Sequence, residues 1–355
     1  MINGETASPE AAMAQADLAC YQSKNAGRAR VHIYDPQQDA LATMSEELGW
    51  SSRLQDALVQ DRFELLFQPI VPLNGIENET GEQPAAELWQ RQFMRNPKEP
   101  MIFEALLRMR GDEGELILPR LFLPAAERFG LMAYIDRWVI ERSIRTLQET
   151  RDSHRQISLS VNVSAESLGD DSLADFVTDC LVRYNVEPGN LIFEITESGT
   201  LDDIVGVKAL LKRLHLLVCF IAIDDFGTGF STFDYLRQLD ADYLKIDGSI
   251  VQGLPDDSLD RTVIAALASI AEVTGKRTVA EWVENIETLR VLHECGVDFA
   301  QGFAIGHPRL QLLPRLQGKA KESPIMAADA TAAPAPVAAA LVDIAANRDA
   351  AASQR

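Results

Sequence analysis

Asp224 and Asp225 stand side by side at the end of an apolar run, "CFIAIDDF", and a Gly-Thr-Gly stretch follows them. One polar residue would solvate a strand end. Two carboxylates followed by glycines, which free the backbone for unusual dihedrals or close approach, point to chemistry instead. Six other short apolar runs carry a polar residue within or at the end of the run. These are Glu104 in "IFEALLRM", Asn162 in "ISLSVNV", Glu194 in "LIFEIT", Lys245 in "YLKID", Glu281 in "RTVAEWV" and Gln301 in "FAQGFAI". Carboxylates gathered at one place repel one another unless protons or cations neutralise them. An all-oxygen donor set selects a hard divalent cation, so magnesium or manganese is the expected metal. One aspartate bridging two ions while its neighbour holds the second is what a two-metal site requires. Each residue taken alone also has a plainer reading: a solvated loop glutamate, a capping amide at Asn162, or a pair between Lys245 and Asp247. The recurrence of one position in successive runs weighs against those readings.

The runs themselves must supply the positioning. With "ELLFQPIV" at the front they make eight strand candidates, separated by stretches of helical period such as "DRWVIERSIRTLQE" and "DRTVIAALASIAEVTG". Near-continuous hydrophobic strands alternating with helices indicate a parallel sheet covered on both faces. Eight of them within one domain fit a (β/α)8 barrel. A doubly wound open sheet is the competitor, but no Gly-x-Gly-x-x-Gly turn follows the first strand. In a barrel the C-terminal strand ends form one rim, where the polar residues would meet. Adjacent strand residues point to opposite faces, so the strand is expected to stop at Asp224 and let a turn bring Asp225 to the same mouth.

The 53 acids outnumber the 33 lysines and arginines for a net charge of −20. Such a surface argues against binding a nucleic acid polymer through its phosphates. Cys20, Cys180, Cys219 and Cys295 form no Cys-x-x-Cys pair, which disfavours zinc and disulfide frameworks and fits a reducing, cytoplasmic setting. No apolar run is long enough for a membrane segment, and the chain reads as soluble. Residues 1–35 hold one amphipathic helix and one short strand, too little to bury a core, so they read as the remnant of another domain. Residues 36–49 read as a helical connector, 50–315 as the barrel with a polar insertion at 74–100, and 316–355 as a disordered alanine- and proline-rich tail.

The segments "FEALLRM", "SVNVS", "FEITES", "IDDFGTGFSTFDYLRQLDADYLKID", "AEWVE" and "QGF", in this order and spacing, closely resemble the EAL domain family of cyclic di-GMP phosphodiesterases. The resemblance implies a modified TIM-like (β/α)8 barrel whose first strand is antiparallel to the rest. It implies hydrolysis of cyclic di-GMP, a bacterial second messenger, to linear pGpG, with two Mg2+ or Mn2+ ions per site. By the family pattern, Glu104, Asn162, Glu194 and Asp224 bind one ion, and Asp224 bridges to a second that Asp225 and Glu281 complete. Glu281 is also the proposed general base, and Lys245 orients water or steadies phosphate charge. Gln68, Arg108, Asp247 and Gln301 match positions near the substrate. Glu197 matches a residue that steadies the loop starting at Asp225, and that loop with its following helix commonly lies at a homodimer interface. Residues 1–35 resemble the last helix and strand of a GGDEF (diguanylate cyclase) domain without its signature loop. Trp282 departs from the family, which often has glycine there; a strand would accept it. A catalytically silent cyclic di-GMP receptor and an association scaffold are the alternatives. The intact ligand set argues against the receptor.

Overall fold

The computed structural model describes residues 49–74, 101–151, 156–196, 204–227 and 239–312. The expectations for 1–35, 36–48, 75–100 and 316–355 lie outside these residues, as does Glu197. Among the described residues there are nine strands: β1 Phe63–Pro72, β2 Met101–Arg110, β3 Leu116–Ile117, β4 Ile157–Asn162, β5 Leu191–Thr196, β6 Phe220–Phe226, β7 Tyr243–Ile246, β8 Arg277–Ala280 and β9 Phe299–Gln301. All but β3 close into a barrel in the order β1-β9-β8-β7-β6-β5-β4-β2, with β2 pairing back to β1. From β2 to β9 these barrel strands run parallel, while β1 is antiparallel to both of its neighbours. The fold is thus the α/β barrel with an inverted first strand that the sequence led us to expect. The two-residue β3, hairpinned onto the end of β2, has no signal of its own in the apolar pattern.

The strands are rich in isoleucine, valine and phenylalanine because both of their faces are covered. Outside them pack amphipathic helices, which we number α1 Leu123–Arg128, α2 Met132–Thr150, α3 Ala165–Leu168, α4 Leu173–Tyr184, α5 Ile204–Leu216, α6 Gly248–Val251, α7 Ser258–Val273 and α8 Ile286–Glu294. Helix α2 buries Ile135, Trp138 and Val139, residues three and four apart along one stripe. Side chains fix where α7 and α8 begin. Asp257 accepts the Leu259 N–H at 2.7 Å and Asn285 accepts the Thr288 N–H at 2.8 Å, satisfying backbone donors that a helix start leaves over.

Inside the barrel a second apolar cluster, distinct from the main core, consists of Ile70, Ile102, Ile192, Ala222, Tyr243 and Val279, with Phe220 and Phe299 against it. Two residues beyond these positions, on the same face of each parallel strand, stand Glu104, Glu194, Asp224, Lys245 and Glu281, and Gln301 follows Phe299 in the same way. On the inverted β1 the order reverses, and Gln68 precedes Ile70 by two. Strand side chains alternate faces with period two, so one register places an apolar layer as a floor and a polar layer directly above it.

Candidate active site

Strand pairing builds the polar layer. Gln68 lies opposite Glu104 across β1 and β2, and Ile70 lies opposite Gln301. Asn162 is in register with Glu194, and Thr196 with Asp224. Lys245 stands in the middle and is only 1 % exposed. Its ammonium lies 2.7 Å from Glu281, 2.8 Å from Glu194, 3.0 Å from Asp224 and 3.6 Å from Glu104. Burial alone would lower the lysine's pKa, but these four carboxylates outweigh it and hold the pKa well above its ordinary value.

One ammonium cannot serve every carboxylate equally. Glu104 is buried, which raises its pKa, yet Lys245 and hydrogen bonds from Gln301 and Asn162 outweigh burial and hold it below the ordinary range. Those bonds are Gln301 Nε2 to Oε2 at 2.6 Å and Asn162 Nδ2 to Oε1 at 2.8 Å. Glu194 goes the other way. Burial, then the charges of Glu104 and Asp224, push it well above the ordinary value despite Lys245 and the Ser160 hydroxyl at 2.5 Å. Glu281 is pushed up to about 7, chiefly by burial.

Asp225 reaches the same cluster by a route other than a strand end. Strand β6 continues to Phe226, and its pairing with β7 slips between Ile223 and Phe226. That bulge, with Asp225 at φ +56 and Gly227 at φ +105, puts the two consecutive aspartates on one side. Oxygens of Asp224, Asp225 and Glu281 lie within 4.8 Å of one another, a grouping able to hold a cation. Burial, Asp224 and Asp247 all raise the Asp225 pKa. Asp224 Oδ1 is buried and, although close to Lys245, receives no hydrogen bond among the described residues. A buried acceptor in that condition suits a metal ion.

The layer opens into a cleft of about 550 Å³ whose walls include Gln68, Leu106, Arg108, Gln252, Glu284, Phe303 and Pro308. Gln68 donates to the Gly306 carbonyl at 3.1 Å and accepts from Gln301 at 3.2 Å. Arg108 donates to the Leu107 carbonyl at 2.7 Å, and its pKa is lowered by burial, partly offset by Glu104. Asp247 does not line this cleft; it caps α6 by accepting the Ser249 N–H at 2.9 Å. Ser160, which shares the inward face of β4 with Asn162, escaped the sequence reading although the alternation of "ISLSVN" marks it. Gln252, Glu284 and Phe303 sit outside the strands and carried no periodic signal.

The reading of Trp282 is corrected by the structure. Strand β8 ends at Ala280, and Trp282 lies beyond it at φ +53, in the region that favours glycine. It is 58 % exposed and lines the cleft.

This architecture and site have close relatives. Residues 89–308 match the EAL domain family, and the chain belongs to that family. It is 35% identical over 266 residues to the cyclic di-GMP phosphodiesterase PdeF of Escherichia coli, which covers 75% of this chain and 32% of that protein. It is 33% identical over 298 residues to the bifunctional diguanylate cyclase/cyclic di-GMP phosphodiesterase MucR of Pseudomonas aeruginosa, covering 83% of this chain and 40% of that protein. The chain therefore spans about a third of the length of the curated relatives it matches. Among solved structures it is similar to the FimX EAL domain of Pseudomonas aeruginosa bound to c-di-GMP, at 30% identity and TM-score 0.64 over 74% of this chain and 97% of that one. The PaMucR phosphodiesterase in complex with c-di-GMP gives 33% identity and TM-score 0.62 over the same shares, 74% and 97%.

Proposed function

We propose that this chain hydrolyses cyclic di-GMP to linear pGpG. The observation that carries the reading is the buried polar layer, in which four carboxylates converge on Lys245 beneath a cleft of nucleotide size. The phosphodiesterase names of PdeF and MucR, and the c-di-GMP held by both solved relatives, supply the substrate class.

The donor set fits magnesium or manganese, since every candidate ligand offers oxygen. Glu104, Asn162, Glu194 and Asp224 would hold one ion, and Asp224, Asp225 and Glu281 a second. Charge supports two. Five carboxylates set against one ammonium leave four negative charges when all are ionised, the charge of two divalent ions. When bound, such ions offset phosphate charge and acidify water.

The chain's own groups do the rest. Arg108 and Gln68 hold and orient the dinucleotide from the wall of the cleft. Glu281 accepts the proton of the attacking water. Water oxygen bonds to phosphorus, the bond to one ribose 3′ oxygen breaks, that oxygen takes up a proton from solvent to become a hydroxyl, and a linear dinucleotide with a 5′-phosphate remains. Lys245 donates to the phosphate oxygen on which charge grows. The apolar floor below keeps bulk water out, which strengthens each of these interactions.

The same reading extends to what the described residues leave open. A homodimer forms through the loop and helix following Asp225, steadied by Glu197. Residues 1–35 derive from a diguanylate cyclase domain, a reading that rests on the resemblance of their sequence alone. A cytoplasmic setting fits the free cysteines Cys180, Cys219 and Cys295. No helix among the described residues is long and apolar enough to cross a membrane.

The alternative, a silent receptor, is separated by one pair of measurements. Binding of cyclic di-GMP in calcium together with pGpG release in magnesium establishes the enzyme. Binding without release in either magnesium or manganese establishes the receptor.

A further inference from the structure

Strand β4 stands between β2 and β5, and its inward row sends a neutral donor to each side. Asn162 Nδ2 donates to Glu104 on β2, and two residues earlier the Ser160 hydroxyl donates to Oε1 of Glu194 on β5. Asn162 is exposed at the mouth, whereas Ser160 is only 1 % exposed. A hydroxyl costs free energy to bury unless it is bonded, and alanine would fill nearly the same space without that cost. The bonding partner supplies the reason. Strand pairing sets Ser160 level with Glu104 on one side and with Ile192 of the apolar floor on the other. Its short side chain therefore reaches Glu194 diagonally, from one inward step below. The other oxygen of Glu194, Oε2, rests 2.8 Å from the Lys245 ammonium. With that contact alone the carboxylate could pivot about Oε2, and Glu104 and Asp224, both also drawn to Lys245, would repel it. The 2.5 Å bond from Ser160 to Oε1 removes the pivot. A hydroxyl-to-carboxylate bond of this length is charge-assisted and strong. It fixes the carboxylate without adding positive charge, so the excess negative charge of the layer stays available to cations.

We propose that Ser160 is a positioning residue that locks the Glu194 carboxylate in the orientation a divalent cation needs, and so sets this chain's metal affinity. The inference rests on the reading of Glu194 as a cation ligand given above. Groups that hold a ligand from behind govern its orientation, and losing one typically weakens metal binding about ten- to hundredfold. Ser160 does not line the cleft, so its effect falls on loading the site with metal and not on holding the dinucleotide.

The test removes one oxygen atom. Metal-free wild type and Ser160→Ala are titrated with Mn2+ in the absence of nucleotide, and the free ion is followed by electron paramagnetic resonance. We expect Mn2+ affinity to fall roughly ten- to hundredfold in the variant. In turnover the half-saturating magnesium concentration should rise by a similar factor, while KM for cyclic di-GMP and kcat at saturating magnesium change little. Ser160→Thr keeps the hydroxyl on a residue that suits a strand, and it should recover most of the lost affinity. A serine that only fills space would move Tm in a chelator and leave both metal titrations where they were; that outcome overturns the inference. A fall in kcat at unchanged Mn2+ affinity also overturns it, because Ser160 would then act on the chemical step. So does a Ser160→Thr variant that melts like the wild type yet binds Mn2+ as weakly as Ser160→Ala. A wild type that binds Mn2+ but releases no pGpG overturns the hydrolase reading, and the Mn2+ titration of Ser160→Ala still decides this inference. A wild type that binds no Mn2+ overturns the metal reading and this inference with it.

Discussion

Glu281 is pulled in two directions, and the balance has a measurable sign. Burial lifts its pKa to about 7 while Lys245 at 2.7 Å draws it down. In metal-free protein the folded state therefore keeps a proton that the unfolded chain has already lost above about pH 4.5. Stability from that proton is complete below the unfolded pKa and disappears as pH rises through about 7. Relative to Glu281→Gln, the wild type in a chelator should thus lose several degrees of Tm between pH 5 and 8, read by thermal melts across that range. A difference that stays flat, or grows with pH, would contradict the assignment. Glu104 is the opposite case, a carboxylate held ionised by Lys245, Gln301 and Asn162. Glu104→Gln keeps the volume but removes the charge, and kcat should fall at least about a hundredfold, with binding retained in calcium. Turnover near the wild-type level would remove Glu104 from the machinery. These residues were legible in the sequence because each interrupts an apolar run. The positive φ of Trp282 was not, because no sequence pattern displays it.

At the scale of elements, the period-two alternation does most of the positioning. Ile102 with Glu104, Ile192 with Glu194, Ala222 with Asp224, Tyr243 with Lys245 and Val279 with Glu281 repeat one step, apolar then polar, on the inward face. That step was readable, and so were the eight barrel strands. The inversion of β1 was not, since an antiparallel strand buried on both faces reads like a parallel one; it came from the resemblance alone. Strand β6 broke the expectation most instructively. The sequence pointed to a strand end at Asp224, whereas a bulge carries both aspartates and the strand runs on. Gly227 makes this workable, at φ +105 with Ile250 Cδ1 only 2.8 Å from where a Cβ would stand. Gly227→Ala should cost on the order of 1–3 kcal/mol of stability in denaturant melts and lower activity more than Tm alone explains, because Asp225 is displaced with the bulge. A variant with full activity would show that Asp225 is placed independently of Gly227.

For the whole molecule, a net charge of −20 makes the metal-free site a concentration of like charge within an already acidic protein. Ion binding should therefore stabilise the fold and couple to whatever orders the segment after Asp225. Glu197→Ala is expected to impair turnover at low magnesium and to recover partly at high magnesium, with a dimer detected by mass in solution for the wild type. Unchanged activity at low magnesium would remove Glu197 from that coupling. Metal identity follows from the all-oxygen ligands. Magnesium or manganese should support turnover, and calcium should bind without doing so, because its looser geometry positions water poorly. The most direct measurement strips the protein of metal, supplies cyclic di-GMP, and follows pGpG by chromatography as magnesium is added back, beside Glu104→Gln under the same conditions. The account predicts no product without metal, saturable release of pGpG with magnesium in the wild type, and at most about a hundredth of that rate in the variant. Product formed without metal, or equally fast in Glu104→Gln, would contradict it.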